Sequence, residues 1–230
     1  MLGRFDATNI VDADVAVMYP VAAVEAGRGG KESVDTAFTT GRSLYGQGID
    51  FDFMDFESLA RAYVEDRKLK VAGEEYRVLV LPAMRAVRHS TLVKAVEFQR
   101  AGGIVLMLGD APMASEKSGE GDPEVLALAS ELGQSAVRSV EEAVARMDGT
   151  IGRDFHCAGA GAAQPSVLHR KAGKRDVYLV YGASKGDECT LRSTGMLELW
   201  DPWTGSTTTL RAVRQTADST VVRMPLEKTE

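Results

Sequence analysis

Short apolar runs alternate with longer segments of helical spacing over the first two thirds of the chain. Apolar runs and stretches of period two, the patterns of buried strands, occur at residues 14–19, 49–55, 77–82 and 104–108. Between and after them, spacings of three to four predict helices at residues 33–46, 56–63, 91–101, 123–132 and 140–147. Strands that alternate with helices through short loops favour an open parallel sheet with helices on both faces.

The pattern changes near residue 150. Residues 158–163 are alanine and glycine alone, a composition typical of a flexible linker. Short strand-like segments follow at residues 167–170, 176–181, 189–193, 196–200, 207–213 and 219–224. We therefore predict a flavodoxin-like α/β domain over residues 1–155 and a small antiparallel β-rich domain over residues 165–230.

Residues 197–205, Leu-Glu-Leu-Trp-Asp-Pro-Trp-Thr-Gly, predict a β-hairpin that holds both tryptophans of the chain. The Asp-Pro pair between Trp200 and Trp203 starts a turn, and Gly205 can adopt the positive φ that closes it. A returning strand follows. A buried aromatic corner is the favoured interpretation, because such corners are common in small β-domains. A platform on which sugar rings stack is the alternative.

Composition excludes some partners. The chain has 27 basic and 33 acidic residues, a net charge of −6, which argues against nucleic acid and anionic membranes. The apolar runs are too short to cross a bilayer, and the N-terminus lacks the apolar core of a signal peptide, so a cytoplasmic chain is favoured. For Cys157 and Cys189 we favour two free thiols over a single disulfide.

Four polar residues follow the predicted parallel strands: Tyr19, Asp55, Arg85 and Asp110. Open α/β sheets bind ligands beyond the carboxyl ends of their strands, so these side chains are candidate ligand contacts. The favoured alternative is that they lie in loops and satisfy the N-termini of helices.

The sequence predicts neither a metal site nor a cofactor. Asp50 and Asp52 share one face of a strand, and Asp55 points the other way, so the three carboxylates do not converge. Residues 27–33 are rich in glycine but lack the spacing of a phosphate-binding loop.

Residues 77–83, a buried strand ending in Leu-Pro, resemble the strand that precedes the nucleophile strand of class I glutamine-amidotransferase-like domains. That resemblance implies a Gly-x-Cys-x-Gly turn after the next strand. Here residues 106–112 read Leu-Met-Leu-Gly-Asp-Ala-Pro, without cysteine, and no His-x-Glu pair follows. Because a thiolate mechanism needs nucleophile and base, a degenerate, inactive copy of this domain is expected.

The β-rich part carries a second resemblance. The order His169-Arg170, then Asp-Val-Tyr-Leu-Val at residues 176–180, then residues 197–205 resembles the region after the catalytic domain in α-L-rhamnosidase-type glycoside hydrolases. In such enzymes this His-Arg pair would help to shape a sugar pocket. The favoured alternative is a structural pair that bonds Asp176 or the backbone.

The resemblance implies a non-catalytic region. A catalytic barrel needs about 250 residues and has no room here, and no spacing marks two carboxylates for glycoside hydrolysis. We expect a structural, oligomerisation or pocket-supporting role, with a carbohydrate, a catalytic barrel domain or a second copy as partner. Alternatives are a stand-alone hydrolase of flavodoxin-like fold and a carbohydrate-binding module using Trp200 and Trp203.

Overall fold

The computed structural model describes residues 13–158 and 165–225, and the fold is mixed α/β with one parallel sheet and several antiparallel sheets. The chain divides into two compact units. The α/β unit comprises Asp12–Leu44 and Asp50–Gly152, and the β-rich unit includes Tyr45–Ile49 and Arg153–Glu230.

The α/β unit is built around a five-stranded parallel sheet. Its elements in chain order are β1 (Val15–Met18), α1 (Val21–Glu25), α2 (Gly30–Gly46), β2 (Phe51–Met54), α3 (Phe56–Arg61), β3 (Tyr63–Glu65), β4 (Lys68–Val71), β5 (Glu74–Tyr76), β6 (Val78–Pro82), α4 (His89–Arg100), β7 (Ile104–Leu108), β8 (Ala114–Ser115), β9 (Gly119–Glu120), α5 (Pro123–Glu131), β10 (Ala136–Val137) and α6 (Val140–Ile151). The parallel sheet has the order β10-β7-β6-β1-β2. Every residue of β1 and of the central strand β6 is buried, which confirms the strands expected from their apolar runs.

Several helix boundaries differ from the prediction, among them the end of α6, which extends to Ile151 rather than 147. Helix α2 begins at Gly30 rather than at residue 33, and the Ser33 hydroxyl donates to the backbone oxygen of Ala83 at 2.6 Å. Helix α4 begins at His89 rather than at residue 91, and the carboxylate of Glu116 accepts from the His89 amide at 2.9 Å. Helix α3 ends at Arg61, so residue 63 lies in a strand rather than in a helix.

The β-rich unit consists of a four-stranded antiparallel sheet and two hairpins. Its strands are β11 (Phe155–Ala158), β12 (Ser166–Ala172), β13 (Arg175–Tyr181), β14 (Glu188–Leu191), β15 (Leu197–Trp200), β16 (Thr207–Leu210), β17 (Ala212–Gln215) and β18 (Thr220–Arg223). The sheet order is β11-β14-β18-β17, and the hairpins are β12–β13 and β15–β16. Both hairpins contribute side chains that pack on a core around Phe155, Val167 and Val222.

The β-rich unit is not continuous in sequence. The carbonyl oxygen of Gly48 accepts from the amides of Asp154 at 2.9 Å and Phe155 at 3.3 Å. Gly48 has a φ of +72°, and a Cβ there would overlap the carbonyl of Phe155. The short segment Tyr45–Ile49 therefore supplies the acceptor at the start of β11.

Cys157 and Cys189 form a disulfide, so the favoured prediction of two free thiols is wrong and its alternative holds. The two residues are direct partners in the antiparallel pairing of β11 with β14, and both are buried. Their 32-residue separation gives no sign of this, because strand pairing alone brings them opposite each other.

A buried ionic cluster surrounds His169 in the same unit. The Nε2 atom lies 3.0 Å from Asp176 Oδ1 and the Nδ1 atom 3.4 Å from Asp154 Oδ1, and the Tyr178 ring stacks on the imidazole at 4.1 Å. Arg192 donates to the same Asp154 oxygen at 2.6 Å. A protonated His169 makes the four charges of this His169 cluster sum to zero, which favours burial of the set.

The surroundings of His169 oppose one another in their effect on its pKa. Burial lowers the pKa of the imidazole, but the hydrogen bonds to Asp154 and Asp176 and their negative charges outweigh burial, so the pKa is raised above 6.5. The charged form is therefore the form that the folded unit stabilises.

We expect reduction of the disulfide to lower the free energy of unfolding by about 3–4 kcal/mol, because a 32-residue loop is no longer closed in the unfolded chain. Urea unfolding with and without dithiothreitol measures this. The matched control is Cys157→Ala/Cys189→Ala, whose stability should be low and insensitive to the reductant. Equal stability of oxidised and reduced protein would contradict the expectation.

We expect His169→Gln to lower the free energy of unfolding by about 2–4 kcal/mol near pH 6, because Asp154 and Asp176 lose a buried cation. A raised folded-state pKa stabilises the fold fully below the unfolded pKa of 6.5, and this contribution disappears as pH rises through the higher folded pKa. The loss of stability in His169→Gln should therefore shrink as the pH rises above 6.5 and through the raised folded-state pKa of His169.

The control for this titration is His89→Gln, because the His89 imidazole pairs with Glu124 in the α/β unit and not with this cluster. Proton NMR of the three imidazoles gives the pKa of His169 directly, its resonance being the one absent from His169→Gln. A His169 pKa below 6.5 would refute the argument.

Candidate functional site

The carboxyl edge of the parallel sheet holds four residues singled out from the sequence. Arg85 and Asp110, which follow β6 and β7, lie together with 3.8 Å between Nη1 and Oδ2. Arg85 also donates to Met113 Sδ at 3.4 Å. A Cβ at Gly29 would lie 3.4 Å from the Arg85 Cδ, so the chain before α2 packs on this side chain. The exposed Arg85 side chain thus contacts the loop after β7 through its guanidinium and the chain before α2 through its aliphatic part.

Asp55 is the N-cap of α3. Its Oδ1 accepts from the Ser58 amide at 2.8 Å and its Oδ2 from the Ser58 hydroxyl at 2.8 Å. The backbone hydrogen bond from Ser58 outweighs partial burial and lowers the pKa of the Asp55 carboxyl. A general acid at neutral pH needs a raised pKa instead. The capping interpretation of Asp55 is therefore confirmed.

Tyr19 belongs to an exposed aromatic cluster beside β2. Its ring centre lies 6.3 Å from that of Phe38 and 6.0 Å from that of Phe53, both in edge-to-face geometry, and the two phenylalanines are 5.3 Å apart. The Tyr19 amide donates to the Met54 carbonyl at 2.8 Å. Tyr19 therefore packs on aromatic rings, whereas Arg85 pairs with Asp110.

The turn after β7 is closed by backbone packing. Gly109 has a φ of +66° and the neighbouring Ala83 a φ of +47°. A Cβ at Gly109 would lie 2.8 Å from the Cβ of Ala83, closer than side chains tolerate. The Ala83 amide donates to the Leu108 carbonyl at 2.8 Å, and Ser33 holds the Ala83 carbonyl from α2. A side chain at position 109 would therefore be crowded by Ala83, whereas the next residue, Asp110, is exposed.

Sequence reasoning missed Ala83 and Ser33. A positive φ at alanine has no signature in sequence, because glycine is the residue expected there. The Ser33 hydroxyl donates to the carbonyl of this residue, which is 50 positions away in the sequence, so local spacing does not reveal the contact. The one sequence signal near Ala83 is the Leu-Pro pair at the end of the strand, and this pair indicates only that a turn begins there.

No closed pocket of the kind expected of a small hydrolase is found at the strand ends in the described residues. Two solvent-open depressions lie along α2; the larger is lined by Gly29, Lys31, Glu32, Asp35, Thr36, Thr39 and Val140. Among residues 13–158 and 165–225, no three His, Cys, Asp or Glu side chains are placed to hold a metal ion. In the same ranges no helix is long and apolar enough to cross a membrane.

His169 and Arg170 make structural contacts. The His169 side chain is 1% exposed and bound on both ring nitrogens within its cluster. Arg170 is half-buried, and its Nη1 donates to the His169 carbonyl at 2.7 Å. These bonds to Asp176 and to backbone are the ones that the structural interpretation of the pair predicts.

Both tryptophans are exposed, so the favoured prediction of a buried aromatic corner is wrong. Trp200 is 48% and Trp203 93% exposed. In the β15–β16 hairpin, Leu197 pairs with Leu210, and both pack on the core of the β-rich unit. Because side chains alternate along a strand, Trp200 lies on the opposite, outer face.

The predicted turn of this hairpin is confirmed. The Asp201 amide donates to the Ser206 carbonyl at 2.9 Å, and the Gly205 amide, with φ at +70°, donates to the Asp201 carbonyl at 2.8 Å. The Asp201 carboxylate accepts from the Trp203 amide at 2.8 Å and from the Thr204 amide at 3.3 Å. The backbone bond from Trp203 in particular lowers the pKa of Asp201.

Solved structures with a similar fold are large carbohydrate-active enzymes. The chain matches a rhamnosidase from Novosphingobium sp. PP1Y at 21% identity and a TM-score of 0.72, over 97% of this chain and 22% of the rhamnosidase. It matches α-L-fucosidase isoenzyme 2 from Paenibacillus thiaminolyticus at 14% identity and a TM-score of 0.58, over 95% of this chain and 48% of the fucosidase. It also matches an exo-carrageenase GH42 from Bacteroides ovatus at 14% identity and a TM-score of 0.54, over 94% of this chain and 29% of the carrageenase.

These identities establish a shared fold. The chain spans about a fifth of the length of the solved rhamnosidase that it matches. A comparison with curated proteins gives no match.

The family comparison agrees with the resemblance carried by the hairpin and the His-Arg pair. The model of glycoside hydrolase family 106, described as alpha-L-rhamnosidase, matches residues 29–213, which is most of the chain and includes both units. This chain therefore belongs to the α-L-rhamnosidase family of glycoside hydrolase family 106.

Proposed function

We propose that this chain is a non-catalytic part of an α-L-rhamnosidase-like enzyme, with a structural role in supporting a sugar pocket or holding a partner. The closed turn after β7 carries the proposal. Open α/β sheets place reacting groups at the carboxyl ends of their strands. Here that position is Gly109, with the Cβ of Ala83 filling the space where a nucleophile would project.

We further propose that the α/β unit is a flavodoxin-like, degenerate glutamine-amidotransferase-like domain. Numbered along the sheet, the strand order is 2-1-3-4-5, the order of flavodoxin-like folds. Gly109 retains a positive φ at the turn where such a domain would carry its thiol, but it has no side chain. Both cysteines, Cys157 and Cys189, are bonded to each other in the β-rich unit.

The carboxylates that the fold brings together support the same role. Glycoside hydrolysis needs two carboxyl groups on either side of a sugar. Asp154 and Asp176 approach a common point, but that point is the imidazole of His169, and Asp154 is buried. Asp55 caps a helix. We propose that a catalytic barrel domain, or a second copy of the chain, is the partner that this part supports.

The purified chain is expected to give no hydrolysis of 4-nitrophenyl α-L-rhamnopyranoside above the buffer rate, because Gly109 stands where a nucleophile would project and the carboxylates of Asp55, Asp154 and Asp176 are engaged in structural hydrogen bonds. Release of 4-nitrophenol measures this, with an active α-L-rhamnosidase as positive control. Hydrolysis that co-purifies with the chain and disappears in Arg85→Ala/Asp110→Asn would overturn the proposal and place a reaction at the sheet edge.

Gly109→Ala should lower the free energy of unfolding by about 2–4 kcal/mol, because it adds strain at positive φ to a clash with Ala83. The matched control is Gly27→Ala, at a φ of +63° with nothing within 4 Å, which should cost about 1–2 kcal/mol. In an Ala83→Gly background the cost of Gly109→Ala should fall to that of the control. Urea unfolding of the four variants measures the coupling, and additive effects would show that the turn has room for a side chain.

A further inference from the structure

We propose that the outer face of the β15–β16 hairpin binds a neutral pyranose through Trp200, Glu198, Thr207 and Thr209, with Trp203 at its edge. The register pairs Trp200 with Thr207 and Glu198 with Thr209. Alternation along each strand places these four side chains on one face, and all four are exposed. This inference adds a ligand site to the non-catalytic role and stands without it.

The exposure of the two indoles is the first argument. Tryptophan is among the largest apolar side chains, and binding surfaces are enriched in it. This hairpin has inner positions that reach the core, occupied by Leu197 and Leu210. The tryptophans occupy an outer position and the turn instead, where burial in this unit does not account for them.

The rigidity of the turn is the second argument. Four hydrogen bonds that involve Asp201, with Ser206, Gly205, Trp203 and Thr204, fix the backbone that carries the Trp203 side chain. The Trp200 Nε1 atom donates to Glu198 Oε2 at 3.1 Å, which restrains the second indole. A surface ordered before binding loses less conformational entropy when a ligand arrives.

The chemistry of the face indicates the ligand class. The face of an indole ring is electron-rich and attracts the C–H groups that line one side of a pyranose. A ring stacked on Trp200 would find an acceptor in the Glu198 carboxylate and hydroxyls that donate or accept at Thr207 and Thr209. This combination of one apolar plane and flanking polar groups matches a sugar with adjacent hydroxyls.

Charge distinguishes neutral from anionic sugars. Glu198 lies on the face, and Asp201, whose pKa is lowered, stays ionised at the adjoining turn. Two negative charges repel uronic acids and sulfated sugars, whereas neutral pyranosides bear no charge to be repelled. We therefore expect methyl α-L-rhamnopyranoside and methyl α-D-glucopyranoside to bind, and D-glucuronate to bind at least about tenfold more weakly.

The experiment uses the intrinsic fluorescence of the whole chain. The chain has only two tryptophans, and both lie in this hairpin, so their emission reports this surface alone. Titration with the two methyl glycosides should change the emission saturably. Calorimetric titration should show at least about a tenfold loss of affinity for Trp200→Ala. Glu198→Gln should admit glucuronate while keeping neutral sugars within a few-fold.

The matched control is Thr208→Ala, on the opposite face of the same strand, which should bind like the unaltered chain. If Trp200→Ala does not fold by circular dichroism, Trp200→Phe gives the same test with a smaller ring and an intermediate loss. Unaltered emission across the panel, or full affinity in the Trp200 variants, would overturn the site. Self-association abolished by Trp203→Ala would assign the face to a second copy and overturn it too.

The outcome is separable from that of the proposed function. Sugar binding without release of 4-nitrophenol supports both. Hydrolysis in a chain whose hairpin also binds sugar would remove the non-catalytic role and leave the hairpin site in place.

Discussion

The close approach of the turns after β6 and β7 determines what the α/β unit can do. Ala83 and Gly109 both adopt left-handed backbone, and their packing leaves no space for a side chain between them. The Ser33 hydroxyl of α2 donates to the Ala83 carbonyl, and the Ala83 amide donates to the carbonyl of Leu108 in β7. Ala83, which follows β6, is thus hydrogen-bonded to both α2 and β7. At this part of the sheet edge the two turns pack directly on each other. The remaining polar groups of that edge, Arg85 with Asp110, pair with each other in solvent.

The β-rich unit is stabilised by different means. It is small, and small units bury too little apolar surface to be stable on packing alone. The Cys157–Cys189 disulfide joins β11 to β14 inside its core, and His169 and Asp154 are buried together, with Asp176 and Arg192 partly exposed around them. The disulfide and the His169–Asp154 pair both lie in the interior of the unit. The two tryptophans of the β15–β16 hairpin, by contrast, are exposed.

Sequence patterns predicted the strands, helices and turns better than the exposure and long-range contacts of individual side chains. The uninterrupted apolar run at residues 78–82 predicted a buried strand, and the Asp-Pro and Gly205 signals identified the hairpin turn. The family could also be predicted, because the His-Arg pair and the amino-acid sequence of the hairpin resemble those of α-L-rhamnosidases. Alternation shows that Leu197 and Trp200 lie on opposite faces, but not which face is covered, so the exposure of Trp200 was missed. The disulfide and the cluster around His169 depend on strand pairing across 15 to 38 residues, which local spacing does not encode.

The segment Tyr45–Ile49 has a consequence for the modularity of this chain. Within the described part of the chain, the covalent chain passes between the units at residues 44–45, 49–50 and 152–153, so the β-rich unit is discontinuous and a single cut does not release it. Excision at residue 153 would remove the Gly48 carbonyl from the amides of Asp154 and Phe155. A fragment that begins at residue 153 would therefore leave two amides at the start of β11 without their backbone acceptor, because part of the β-rich unit lies earlier in the chain.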